Sequence, residues 1–352
     1  MMKTNNYTHI KATTAALLKK IGVSLAIAVT LGGLASCNVE EFPEEFEQAK
    51  KVDFHLNLEF ETALPIYKEI TVDSRNIVYS LRYIVNAYAR TDGKCDYSKP
   101  TATLTVDNPD IEKLNRTIDI NLPEGDYEFY VWTDYVDSQK PGDLYYNPSN
   151  FSEITLNEAN GHSGSNEFRD AFRGGVQATV EENGSVTVPM IRPLGKYELI
   201  STDVEEFIDR AIERAEQRGD YSGTRDINTD DYLVTVKYSG YMPSALNIFN
   251  NRPIDSRLNV SYTSKLTKLP NDEMELGFDY VFVNGDETRV TVVVEVKEIS
   301  SGEVISSTSG IDIPLKRSKL TIVRGKFLTS KISGGGIGID PGFEGEWNYH
   351  VP

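Results

Sequence analysis

The sequence predicts an all-β protein built from two tandem β-sandwich domains, with one helix in the second domain. Three observations carry this prediction. The chain has 352 residues, a length that suits two domains better than one. Apolar residues alternate with polar ones in many short runs, as they do in strands that bury one face. Turn residues separate these runs, and no alternation of strands with helices indicates a parallel α/β sheet.

The composition excludes several classes of protein. The chain carries 36 Lys and Arg against 53 Asp and Glu, a formal net charge of −17, which argues against a nucleic-acid partner. Hydrophobic residues make up 39% and aromatic residues 10%, enough to build cores and to exclude a disordered chain. Two cysteines exclude a disulfide scaffold and a cysteine-rich zinc module.

The N-terminal segment, residues 1–36, is predicted to be an export signal. It contains lysines and no acidic residue, and an apolar run from Ile21 to Ala35 follows them. This run is short for a membrane-spanning helix, which needs about 20 residues. Small residues then precede Cys37 in a pattern that fits a bacterial lipobox. We therefore predict that Cys37 is lipidated and begins the mature chain; an ordinary signal with an incidental cysteine is the alternative.

The mature chain is predicted to have three parts. Residues 37–50 are acidic and polar and indicate a tether. Residues 51–192 and 193–352 each contain enough alternating runs for one sandwich, and the Pro-rich and Gly-containing stretch at 189–195 suggests the boundary. In the first domain the clearest strands cover 52–60, 77–85, 118–122 and 127–131.

Two local signals stand out in the second domain. Asn284-Gly285 lies between two alternating runs, which predicts a β-hairpin. Apolar residues from Val204 to Ala215 follow helical spacing. Thr202 and Glu205 suggest a capping box at the start of this helix, and Gly219 suggests its end.

Catalytic and metal signals are weak, so the prediction is a protein that is not an enzyme and that uses no cofactor and no metal. The histidines of the mature chain, at 55, 162 and 350, are far apart and form no zinc-type pair. The glycines at 334–338 lack the Lys-Ser/Thr ending of a phosphate-binding loop.

Aromatic residues offer the one candidate ligand site in the sequence. Tyr130 and Trp132 fall on the opposite face of their strand from Tyr127 and Phe129. One of these two sets must therefore face something other than the first core. We interpret Tyr130 and Trp132 as a candidate exposed platform on which a sugar could stack, although aromatic residues in strands more often fill a core.

Three segments resemble one known family. They are Leu122-Pro-Glu-Gly-Asp-Tyr-Glu-Phe-Tyr-Val-Trp-Thr-Asp-Tyr135, then Asp170-Ala-Phe-Arg-Gly174 with 186–196, and finally Leu320-Thr-Ile-Val-Arg-Gly-Lys-Phe-Leu328 with 334–342. Together with the lipobox they resemble the fimbrillin-like lipoproteins of Bacteroidetes, and the likeness spans most of the mature chain. The acidic residues after Cys37 also resemble the surface-export signals of lipoproteins from that phylum.

The resemblance implies two transthyretin-like sandwich domains with Greek-key connections and a role in type V pili. In stalk subunits of that family a trypsin-like protease cuts after Arg or Lys and removes the first strand. A strand from a neighbouring subunit then fills the vacated groove. Here Arg75 is the candidate processing site, because it is the first arginine after Cys37 and follows the first strand. An uncut subunit would keep its lipid and act as an anchor.

Two function hypotheses follow. The first is a fimbrillin-like pilus subunit or anchor on the outer membrane, held by the lipid on Cys37 and partnered by other pilin subunits. A host or bacterial surface ligand is a further candidate partner. The second is a surface glycan-binding lipoprotein of a polysaccharide-uptake system. The exchangeable segment in the first hypothesis is either the N-terminal strand or residues 343–352 at the C-terminus.

Overall fold

The alternating runs of the sequence form strands with one buried face. The computed structural model describes residues 50–61, 77–140, 142–157, 159, 161–221 and 223–330, together with the backbone of residues 346–350. Cys37, Arg75 and the glycines at 334–338 lie outside the described residues. The first part of the chain contains β1 (Lys51–Phe60), β2 (Tyr79–Thr91), β3 (Lys94–Cys95), β4 (Ala102–Asn108), β5 (Arg116–Pro123), β6 (Gly125–Asp137), β7 (Tyr146–Asn147), β8 (Ile154–Leu156), β9 (Ala171–Val180) and β10 (Gly184–Ile191), with a 3-10 turn at Glu167–Arg169 before β9.

The second part of the chain is also dominated by strands. It contains β11 (Leu194–Ser201), α1 (Val204–Arg218), a 3-10 turn at Thr229–Asp231, β12 (Tyr232–Tyr238), β13 (Met242–Asn247), β14 (Arg252–Arg257), β15 (Ser261–Ser264), β16 (Thr267–Lys268), β17 (Met274–Phe282), β18 (Thr288–Glu298), β19 (Val304–Ser307), β20 (Ile311–Leu315), β21 (Leu320–Gly325) and β22 (Glu346–His350). The all-β prediction with one helix in the second half is confirmed. Within the described residues, no helix is long and apolar enough to cross a bilayer.

The strands are organised into four sheets. The largest has the order β3-β2-β6-β9-β10-β1-β5, with β4 also paired to β2. The second and third have the orders β16-β17-β11-β21-β22 and β15-β12-β18-β19, with β20 also paired to β18. The fourth, β14-β13-β8-β7, combines strands from the first and second parts of the chain. Because β8 pairs with β13, backbone hydrogen bonds tie residues 146–156 to residues 242–257. The division at residue 192 stays a prediction.

The helix matches its predicted span but not its predicted cap. The last turn is closed by Gly219 at φ +75°, whose N–H donates to the carbonyls of Ala215 and Glu216. The capping box at Thr202 is wrong, because the residue before the helix is Asp203 and its side chain caps nothing. Its carboxylate instead accepts hydrogen bonds from the backbone N–H and the hydroxyl of Thr329, at 2.8 and 2.6 Å.

The predicted hairpin at Asn284-Gly285 is also wrong. The two flanking strands lie in different sheets: β17 pairs with β11 and β16, whereas β18 pairs with β12, β19 and β20. Gly285 does adopt a positive φ of 65°, so the local turn forms. β17 is buried along nearly all its length and is paired with β11 and β16, so the chain crosses from one sheet to the other at this turn.

Candidate functional site

The most distinctive feature of the first part of the chain is the place of β1 inside its sheet. β1 runs parallel to β10 and antiparallel to β5, so both of its edges are paired. The side chains on its inner face are buried, with exposed fractions of 3% at Val52, 1% at Phe54, 0% at Leu56, 2% at Leu58 and 8% at Phe60. We call the space between β5 and β10 that β1 occupies the β1 slot.

The inner wall of the β1 slot is shaped by aromatic rings. The ring of Phe54 stacks on that of Phe129 with centroids 5.7 Å apart and planes 8° apart. Phe60 meets Phe172 edge to face at 4.9 Å. A Cβ added at Gly184 would lie 2.9 Å from the Phe54 ring, so a larger residue at this position of β10 would force the ring to shift. The register of β1 is therefore fixed by packing as well as by backbone pairing.

The outer face of β1 carries polar pairs across to β5. The hydroxyl of Thr117 donates to the Asn57 side chain at 2.8 Å. The imidazole of His55 lies 2.7 Å from the carboxylate of Asp119, and both side chains are exposed. These contacts are exposed to solvent, so they contribute to register more than to stability.

The chain leaves β1 at a well-anchored residue. The backbone N–H of Glu61 donates to the carbonyl of Met190 at 2.9 Å, and its carboxylate accepts from the hydroxyl of Ser318 at 2.6 Å. The connection to β2 passes through residues 62–76, which include Arg75 and lie outside the described residues. The processing site at Arg75 and the lipidation site at Cys37 therefore stay predictions.

The second part of the chain repeats the connectivity of the first. β11 runs parallel to β21 and antiparallel to β17, just as β1 relates to β10 and β5. The difference lies on the far side of the parallel partner: β10 pairs antiparallel with β9, which precedes it in the chain, whereas β21 pairs antiparallel with β22, which follows it and ends the sheet. In each part, the first strand of the part is thus held on both sides by strands that follow it in sequence. Such a strand can be replaced only by another that reproduces its register.

The predicted aromatic platform does not form. Trp132 is wrong as an exposed platform residue, since its side chain is 0% exposed and packs edge to face on Tyr146 at 5.4 Å. The cause is that the outer face of β6 is covered by the segment around β7. Tyr130 is half-buried and meets Phe249 of the β13–β14 turn edge to face at 4.8 Å. The second face of β6 therefore packs on other parts of the chain, as its aromatic character had suggested.

The structure also contains a buried ionic cluster that the sequence did not reveal. Asp279 of β17 lies 2.5 Å from His162 and accepts from the Tyr238 hydroxyl at 2.7 Å. The guanidinium of Arg169 lies 3.5 Å from the same carboxylate. Burial alone would raise the pKa of Asp279, but Arg169 and His162 overcome this effect and hold that pKa at about 2. No spacing in the sequence joins residues 162, 169, 238 and 279, so only the fold could identify the cluster.

A second charged group lies on the central strand of the same sheet. Lys196 of β11 contacts the carboxylates of Glu167 and Glu198 at 2.7 and 3.0 Å. Burial, reinforced by the charge of Glu198, raises the pKa of nearby Glu275 to about 7, although Lys196 opposes the shift. Among the described residues, no group of three or more His, Cys, Asp or Glu could hold a metal ion.

Comparisons with known structures return distant β-rich neighbours. The tip fimbrial protein Mfa3 of Porphyromonas gingivalis matches at 11% identity and a TM-score of 0.38, covering 85% of this chain and 98% of that one. The fimbrial anchor protein Mfa2 of the same organism matches at 8% identity and a TM-score of 0.36, covering 78% and 90%. A candidate cell adhesion protein of Bacteroides eggerthii matches at 12% identity and a TM-score of 0.42, covering 86% and 96%.

Comparisons of sequence give one result. No curated protein matches the chain at a significant level. One family model matches residues 44–352, which is nearly the whole of the predicted mature chain. The chain therefore belongs to the family of unknown function DUF6562.

Proposed function

We propose that this protein is a fimbrillin-like subunit or anchor of a surface pilus, that it has no catalytic role, and that it assembles by β-strand exchange. The observation that carries the proposal is the β1 slot, in which one N-terminal strand is paired on both edges and contributes a complete row of buried side chains. The resemblance of the three sequence segments to fimbrillin-like lipoproteins supports the same assignment.

Losing β1 without a replacement would be costly in free energy, so exchange for another strand is favoured over simple loss. Burial of a large apolar side chain contributes about 1.5–3 kcal/mol, and the inner face of β1 presents Val52, Phe54, Leu56, Leu58 and Phe60. Removal of β1 would therefore cost a large part of the stability of an ordinary domain, about 5–15 kcal/mol. It would also expose the unpaired edges of β5 and β10, which any suitable strand from a neighbouring subunit could complete.

Export and attachment belong to the same proposal. Lipidation at Cys37 would hold the mature chain at the outer membrane, with its two sandwiches facing outward. Cleavage after Arg75 would release the lipid together with β1 and produce a stalk subunit. A subunit that remains uncut would retain the lipid and anchor the pilus. Incorporation of radiolabelled palmitate that is lost in Cys37→Ser would support the lipid, and unchanged labelling in that variant would contradict it.

Trypsin treatment of the purified mature protein tests the assembly step. We expect a new N-terminus at Asn76 by sequencing, followed by a ladder of oligomers on a sizing column. Arg75→Ala should prevent both. Arg225→Ala is the matched control, because Arg225 is 61% exposed in a different connecting segment and its removal should leave the ladder unchanged. Protein that is cut after Arg75 but stays monomeric would contradict assembly through the β1 slot.

A further inference from the structure

The outer face of β2 and β4 forms the floor of a groove that the proposed function does not use. Its walls are segment 97–100 on one side and segment 143–151 on the other. The cavity has a volume of about 320 Å³. This is near the lower end of the range for small-molecule sites, about 300–1,000 Å³, so the groove suits a compact ligand. We call it the Tyr97 groove.

One wall of the Tyr97 groove is an aromatic ring held in a fixed position. Tyr97 is 39% exposed, one of the few large apolar side chains among the described residues that reach the surface. Phe249 packs against it with centroids 4.4 Å apart, and Tyr88 meets it edge to face at 5.4 Å. Its hydroxyl donates to Glu128 at 2.6 Å. The ring is therefore positioned before any ligand arrives, and part of its surface remains open to solvent.

The floor of the groove is polar and rigid. Asn86 is 8% exposed; its amide oxygen accepts from the Thr103 hydroxyl at 2.7 Å and its amide nitrogen donates to the Tyr88 hydroxyl at 3.3 Å. An amide nitrogen has two N–H donors, so one remains to bind a ligand. Thr105, on β4, also lines the groove and is exposed.

An ionic group of one guanidinium and two carboxylates lies at one end. The guanidinium of Arg82 binds both carboxylate oxygens of buried Asp134, at 2.9 and 2.7 Å, and one oxygen of Asp143 at 2.7 Å. The second oxygen of Asp143 is left to accept from a ligand. Since two carboxylates surround one guanidinium, this end of the groove carries no positive charge to attract a phosphate, sulfate or carboxylate group.

These features define the chemistry of the ligand. The groove offers fixed donors and acceptors in an amide, a carboxylate and hydroxyl groups, together with an aromatic surface, and it lacks excess positive charge. A neutral sugar matches this set, because its hydroxyls both donate and accept hydrogen bonds and its C–H face packs on an aromatic ring. The volume suits the end of a glycan better than the middle of a chain.

We propose that the Tyr97 groove binds a terminal neutral sugar, with the C–H face of the sugar on Tyr97 and its hydroxyls on Asn86 and Asp143. This site differs from the surface that the sequence suggested, since Trp132 is buried and Tyr130, which meets the ring of Tyr97 edge to face, does not line the groove. It is independent of the β1 slot, so it operates in an uncut monomer.

Saturation-transfer NMR on the uncut mature protein tests the site. The probes are glucose, galactose, mannose, N-acetylglucosamine and fucose at millimolar concentration. We expect transfer to the ring protons of at least one sugar, with an affinity that falls roughly tenfold in Tyr97→Ala through loss of the stacking surface. Thr105→Lys should weaken binding by filling the groove without touching the core.

Tyr241→Ala is the matched control, because Tyr241 is 67% exposed and does not line the groove. It should bind as the wild type does. Thermal melts identify any variant that fails to fold, and Thr105→Lys keeps the proposal testable if Tyr97→Ala is such a variant. If none of the five sugars shows saturation transfer, the proposal is overturned. It is also overturned if folded Thr105→Lys binds the sugar with the same affinity as the wild type.

Discussion

The role of β1 as the strand that completes its sheet leads to a sharp prediction for Leu56→Asp. Leu56 is 0% exposed, and its replacement loses about 1.5–3 kcal/mol of apolar burial. A buried carboxyl without partners costs a further 1–3 kcal/mol or so even when it is neutral. Keeping it protonated at pH 7, about 3 units above its ordinary pKa, adds roughly 4 kcal/mol. The sum, about 6–10 kcal/mol, approaches the stability of an ordinary domain.

Urea unfolding, followed by the fluorescence of buried Trp132, measures this loss. Asn57→Asp is the matched control, because it places the same side chain one residue further along β1, on the outer face. There it can still accept from the Thr117 hydroxyl, so we expect a change of about 1 kcal/mol or less. The deficit of Leu56→Asp relative to wild type should shrink by about 4 kcal/mol at pH 4, which is close to the ordinary pKa of the carboxyl, so that protonating it in the folded state costs little. Similar losses in the two variants would refute the inward placement of Leu56.

Three further predictions concern the second part of the chain. Asp279→Asn should cost about 3–5 kcal/mol because it removes the buried negative charge that Arg169 and His162 contact. Asp312→Asn, in a pair whose carboxylate is 52% exposed, should cost less than about 1 kcal/mol in the same urea assay. Because the pKa of Glu275 is raised in the folded state to about 7, its stabilising contribution is complete below the unfolded pKa, near 4.5, and is lost as pH rises through 7. The free energy of unfolding of Glu275→Gln should therefore equal that of wild type at pH 4.5 and exceed it by up to about 3 kcal/mol at pH 8. If stability depends on pH equally in the two proteins, the carboxyl of Glu275 is not buried as described. Asp203→Ala should destabilise by about 1–3 kcal/mol, since it leaves the N–H of Thr329 unpaired; hydrogen exchange at that amide reports the loss, and an unchanged rate would contradict it.

Features that depend on local periodicity could be predicted from the sequence. The alternation from Val52 to Phe60 gives both the position of β1 and the face that it buries, because a strand has a period of two. The helix from Val204 to Arg218 follows from its apolar spacing and from the left-handed residue Gly219.

Features that depend on long-range pairing could not be predicted from the sequence. Asn284-Gly285 predicts a turn correctly, but whether the flanking strands pair is decided by the competing partners of β17 and β18. Trp132 lies on the face opposite the first core, and nothing local shows that Tyr146 covers it. The groove beside Tyr97 likewise joins segments that are about 50 residues apart in sequence. Side chains that meet only through the fold therefore escaped prediction.

The most direct test of assembly through the β1 slot is a cross-link between two different chains. Thr187 lies beside Asn57 in the register of β10 and β1. One preparation carries Thr187→Cys and the other carries either Asn57→Cys or Asn348→Cys in β22, all in a Cys95→Ser background. The Thr187→Cys preparation alone is treated with trypsin, the trypsin is inhibited, and the uncut donor preparation is then added together with a short thiol-reactive linker. Strand exchange predicts a cross-linked product of two chains that depends on trypsin and forms with one of the two donor strands. Absence of this product with both donors, while a chain carrying Asn57→Cys and Thr187→Cys cross-links internally, would contradict the account.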